Sequence, residues 1–278
     1  MTYLGTSGFS YEDWVGRFYP EGTDKKDMLR YYASCFNAVE INSSYYNIPG
    51  AASFAAMDRK TPAGFRFVVK AHKDMTHTER ADHEAFKRFV GSIQPLRESG
   101  KFGCMLAQFP WSFRATQANA AKLREFKDRA GELPTVIEFR NADWVNQETF
   151  DLLKELGLGY CCVDEPGLKG LMPRVAAATS HIGYVRFHGR NAKQWWKHEE
   201  AYERYNYLYS EEELAEWAPK IKDVQERTRD TYLFFNNHYQ GKSAQNARML
   251  ARMLGFTLPP EAQVPSGGQM AFGEGLTD

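Results

Sequence analysis

Apolar positions along the chain follow two rhythms. Eight short runs are rich in β-branched or aromatic residues and bounded by glycine, proline or polar residues, the signature of strands: YLGTS (3–7), AVEIN (38–42), FRFVVKAH (65–72), GCMLAQF (103–109), TVIEFR (135–140), GYCCVDE (159–165), IGYVRFH (182–188) and TYLFFNN (231–237). Between most of them lie amphipathic helical patterns. Asp24 can cap KKDMLRYYASCF, HEAFKRFVGSIQPLRE follows the third run, and Thr116 can cap QANAAKLREFKDRA. Asn141 or Asp143 can open a helix through Leu156, Ser210 with Glu213 forms a capping box for EEELAEWAPKIKDVQER, and Ser243 opens AQNARMLARML before Gly255. GLKGLMPRVAAAT, between the sixth and seventh runs, supports at most a short helix.

Strand and helix alternating about eight times predicts parallel pairing, and the simplest closed solution is a single-domain TIM-type (β/α)8 barrel. An open doubly wound sheet is the competitor. It would usually carry a glycine-rich dinucleotide turn, and GTSG at 5–8 is not GxGxxG. The barrel is expected over 1–257, and the Pro/Gly-rich stretch 258–278 is expected to be a flexible tail.

Several strands break the apolar rule in phase. Glu40 and Asn42 oppose Val39 and Ile41, and Lys70 and His72 oppose Val69 and Ala71. Likewise Glu138 and Arg140 oppose Ile137 and Phe139, while Arg186 and His188 oppose Val185 and Phe187. Gln108, Asp164 and Asn236 fall near the ends of the remaining runs. In a barrel the apolar set faces the helices and the polar set converges on the axis at the C-terminal face, where βα loops build sites.

The residue types suggest roles. Glu40, Glu138 and Asp164, with His188, are candidates for acid–base chemistry. Lys70, Arg140 and Arg186 suit a carboxylate or phosphate. Gln108 and Asn236 would orient a ligand, and Trp14, Asn42, Tyr45, His72 and Arg190 complete the expected binding set. Lys70 is expected to keep its proton beside the carboxylates, which argues against an amine nucleophile. QGKSAQNA places Lys242 at a helix start suited to an anion. Three acidic against three basic residues could instead form a purely structural ionic plug. A divalent ion on His72 and His188 with the carboxylates is the weaker option, since no HExxH or tight ligand cluster occurs; no cofactor is expected to be required. The long stretch 189–210, rich in tryptophan and tyrosine, is expected to form a lid packing its own aromatics over the pocket.

Composition narrows the partners. Thirty-five basic and 35 acidic residues in 278 give no net pull toward nucleic acid or an anionic membrane. Four cysteines without CxxC spacing read as buried thiols, and no signal peptide or membrane-spanning run is evident, so a cytoplasmic location is expected.

GTSGFSYEDWVGRFYPEG, VEINSSYYNIP, FRFVVKAH running into THTER, FHGRN, YLYSEEELAEWA and FNNHYQGKSAQNA together resemble the bacterial domain of unknown function 72 (YecE-like) family, over most of the chain up to about residue 257. The resemblance implies a TIM-type barrel and supplies no established reaction. Likeness to xylose-isomerase and endonuclease IV barrels is analogy of fold. The expectation is therefore an enzyme acting by acid–base chemistry on a small anionic substrate, phosphorylated or carboxylated. Nucleic-acid processing or binding and non-catalytic ligand binding are the alternatives.

Overall fold

The structure, a computed structural model, describes residues 1–78, 83–200 and 202–258. Residues 259–278, nearly all of the expected tail, lie outside the described residues. Eight parallel strands close in sequence order: β1 (Thr2–Ser7), β2 (Ala38–Ile41), β3 (Arg66–Lys70), β4 (Phe102–Gln108), β5 (Thr135–Glu138), β6 (Gly159–Asp164), β7 (Ile182–Phe187) and β8 (Asp230–Phe235), with β8 pairing back to β1. The expected barrel is present as one domain. Each predicted run holds one strand. Asn42, His72, Arg140, His188 and Asn236 lie just past strand ends, where the chain turns into the βα loops.

The outer layer comprises α1 (Met28–Cys35), α2 (Ala51–Arg59), α3 (Lys73–Thr76), α4 (His83–Ser92), α5 (Gln94–Glu98), α6 (Gln117–Ala130), α7 (Gln147–Glu155), α8 (Glu211–Ala215), α9 (Ala218–Arg227) and α10 (Lys242–Met253). Thr116 caps α6 through its side chain, and Ser210 with Glu213 forms the capping box of α8. Other expected boundaries shift for physical reasons. Prolines cannot donate a backbone N–H and favour a first turn, so Pro95 and Pro219 split two long patterns into α4–α5 and α8–α9. Asp24 sits in a turn and α1 begins at Met28. Asn141 caps a short 3-10 turn, while Asn146 caps α7. Gly241, at φ +75°, starts α10 one residue before Ser243.

Helix α2 escapes the sequence reading. AASFAAMDR is so rich in small residues that no apolar stripe stands out, and Phe54 is its buried anchor. Between β6 and β7 the described chain forms no helix. That segment is pinned instead by Cys162 Sγ against the Ala177 backbone and by Thr179 donating to the Leu158 carbonyl.

Register fixes what faces the axis. Ser7 pairs with Glu40, Gln108 with Glu138, and Arg186 with Val163 and Phe234, so these share the inward face. The outward set packs against helices: Phe187 stacks on Phe235 and meets Trp217 edge-on. Lower in the barrel, Tyr3 stacks on Tyr232, and Tyr184 and Phe234 fill the space above. Gly103 makes room there, since a Cβ would sit 2.6 Å from the Tyr232 hydroxyl.

Candidate functional site at the barrel mouth

The inward polar residues assemble in two tiers. The lower tier is a sealed ionic floor around Arg186, which is 1% exposed. Its Nε and Nη2 donate to Glu40 Oε2 and Oε1 at 2.9 and 2.5 Å, and Nη1 donates to Glu138 Oε2 at 2.6 Å. Tyr184 donates to the same Glu40 at 2.6 Å. His188 Nε2 lies 2.9 Å from Glu138 Oε1, and its Nδ1 lies 3.0 Å from Asn236 Nδ2. Burial would raise the Glu138 carboxyl, but Arg140, Arg186 and His188 hold it well below the ordinary range. Burial and Arg140 push His188 well below its usual value, so it is neutral.

Above this floor opens a cavity of about 400 Å³, lined by Asn42, Tyr45, Lys70, Gln108, Arg140, Arg186 and Asn236 together with Tyr11, Tyr46, Tyr205 and His238. Lys70 donates to Gln108 Oε1 at 2.8 Å and sits 4.6 Å from the centre of the Tyr45 ring, with no carboxylate paired to it among the described residues. Burial, then Arg186 and Arg140, lower it to about 7. The expectation that carboxylates would keep Lys70 charged is thus corrected: the arginines already occupy them. Arg140 Nε lies 2.8 Å from Glu138 Oε1, an ionic contact poorly aligned for a hydrogen bond. Its Nη1 lies 3.4 Å from Glu165 Oε2. Glu40, Glu138 and Glu165 match Lys70, Arg140 and Arg186 in number, so one positive charge remains when Lys70 is protonated and Glu165 is neutral. Asn42 Oδ1, buried, has no hydrogen-bond partner among the described residues. Burial, Lys70 and Arg140 depress His77 to about 4.

Five expected site residues stand elsewhere. Asp164 faces the helix layer, because its neighbour Val163 shares the inward register with Arg186. It accepts from Arg190 Nη2 at 2.8 Å, Tyr209 at 2.6 Å and Trp217 Nε1 at 2.7 Å. Arg190 belongs to that outer cluster and also pairs with Glu216. His72 caps α3 by accepting from the Asp74 N–H. Trp14 is fully buried and donates to the His238 carbonyl at 2.7 Å, supporting the rim from behind. Lys242 hydrogen-bonds the Asn206 side chain and is not among the cavity-lining residues.

Glu165 was missed. Buried beneath the mouth, it accepts from the Met172 N–H at 2.8 Å, and burial raises it to about 7. Both alternating sets in GYCCVDE are apolar, so nothing in that run told which acid turns inward. Among the described residues no three His, Cys, Asp or Glu side chains gather in a way that could hold a metal ion. The expected lid is mixed: Trp195 and Tyr209 are buried, Tyr205 reaches the cavity, and Trp196 is exposed. Among the described residues no helix is long and apolar enough to cross a membrane.

A family profile described as "Protein of unknown function DUF72" matches residues 3–267. The UPF0759 protein YunF of Bacillus subtilis is 33% identical over 270 residues, covering 91% of this chain and 95% of that one. A DUF72 family crystal structure from Thermotoga maritima is 39% identical with a TM-score of 0.85, covering 92% of this chain and 99% of the other. One from Enterococcus faecalis is 29% identical with a TM-score of 0.81, covering 92% and 96%. The chain belongs to the DUF72 family, the YecE-like proteins.

Proposed function

We propose that the barrel mouth binds a small polar anion, a carboxylate or phosphate, and that Lys70 exchanges a proton with it in acid–base chemistry. The observation that carries this is Lys70 itself: a cation lining the cavity, unpaired with any carboxylate among the described residues, and lowered to about 7. The glutamates expected to move protons suit that task poorly. Glu40 is saturated by Arg186 and Tyr184, and Glu138 by Arg186, Arg140 and His188. Their work is to fix two guanidiniums in place, a preorganised positive surface for developing negative charge. Asn42, Gln108 and Asn236 supply neutral polar contacts.

Calorimetric titration with sulfate, acetate and inorganic phosphate tests the reading. One site per chain is expected, lost in Lys70→Met while the melting temperature is retained. Failure of all three anions to bind would end it.

A nucleic-acid reading draws on a different observation. Trp111 and Trp196 are both exposed, with ring centres 6.4 Å apart, and Arg114 lies 5.8 Å from the Trp111 ring. Such a platform stacks bases. If it does, binding of a single-stranded oligonucleotide, followed by anisotropy, weakens steeply with added salt.

A further inference from the structure

The mouth cavity adjoins a second, larger space. A groove of about 670 Å³ runs outward between the loops that follow β1 and β2, and it shares Tyr11, Asn42 and Tyr46 with the cavity. Its walls are Phe9, Leu29, Ile41, Ala56 and Met57. The reason it is open lies in α2. That helix turns Ser53, Ala56 and Met57 toward the space, and the small Ser53 and Ala56 side chains leave room above the buried Leu29 and Ile41. Two observations mark the junction. Tyr46 is 75% exposed, and Asn42 Oδ1 has no hydrogen-bond partner among the described residues. Lys25 and Lys60 complete the lining, so no carboxylate among the lining residues opposes a negatively charged occupant.

We infer that the ligand of the mouth has two parts, an anionic head held beside Lys70 and Arg140 and an apolar body lying in this groove. The inference rests on the anion-binding reading above and extends it to a substrate class: an aryl- or acyl-bearing carboxylate or phosphate, not a small hydrophilic anion. The head alone would leave the partly exposed Phe9, Ala56 and Met57 facing water. An attached ring or short chain removes that surface from solvent, and gains affinity in proportion to the area covered. Asn42 and Tyr46 line both spaces, so a molecule that reaches past them would occupy the two together.

Matched probes test this by calorimetry: acetate against phenylacetate and hexanoate, and inorganic phosphate against phenyl phosphate. The body is expected to tighten binding by at least about tenfold. In Ala56→Trp, where an indole fills the groove, the gain is expected to vanish, with circular dichroism confirming the fold. If the simple anions bind and the body adds nothing, the groove is not part of the site, and the anion reading survives without it. A gain that persists in Ala56→Trp places the body elsewhere and overturns the inference. If no probe binds, with or without a body, the anion reading itself falls and this extension falls with it.

Discussion

Lys70 and Arg186 are both inward-facing cations, but only Arg186 is paired with carboxylates among the described residues. Lys70 titrates. Its folded value of about 7 lies below its ordinary 10.5. Between those values the unfolded chain holds a proton that the folded chain lacks, so its contribution to stability rises with pH; below about 7 both states hold it and the full cost remains. An anion in the mouth favours the ammonium, so binding runs the other way. Sulfate, whose own charge is fixed, should bind well at pH 6 and weaken by up to about tenfold per unit above pH 7; Lys70→Met should show neither the binding nor the pH-dependent stability. A flat sulfate profile in the wild type would refute the assignment. Arg186, by contrast, is tied to two buried carboxylates. Arg186→Met strands Glu40 and Glu138 in a dry interior, a loss of roughly 3–5 kcal/mol by denaturant unfolding. Unchanged stability in that variant would mean the floor is not what holds the mouth.

At the scale of elements, legibility depended on contrast between the two sets of alternating residues. In β2, β3, β5 and β7 one set is apolar and the other charged, so Glu40, Lys70, Glu138 and Arg186 could be aimed at the axis from sequence. In β6 both sets are apolar. A carboxylate at each of two successive positions, Asp164 and Glu165, then carries no direction, and the wrong one was expected inward. Helix α2 failed for the related reason that alanine marks no face. Caps were legible in part: Thr116 and Ser210 stand where expected, whereas α1, α7 and α10 start at other residues. Ser210→Ala should cost about 1 kcal/mol, measured by chemical denaturation, and should leave anion binding untouched because the side chain serves the start of α8. Roles in the site were less legible than positions. Sequence shows which groups share a face; it does not show which of them are already saturated by one another.

For the molecule as a whole, the repeated strand–helix alternation made the closed barrel readable, and the family match agrees with it. What the alternation could not convey is that the barrel is tied across its middle. Glu40 and Arg186 are 146 residues apart, and Arg186 also grips Glu138, so β2, β5 and β7 are braced against one another through the axis. Cut the chain between β4 and β5, and each half inherits an unbalanced interior. The first keeps Glu40 and Lys70 without Arg186, and the second keeps Arg186 and Glu138 without Glu40. Neither half-barrel can close around its share. Separately expressed fragments 1–132 and 133–278 should each be unstructured by circular dichroism, and should regain a cooperative melt only when mixed. The brace works as a keystone does in an arch: it bears on both sides at once, and it can be set only after both sides have risen.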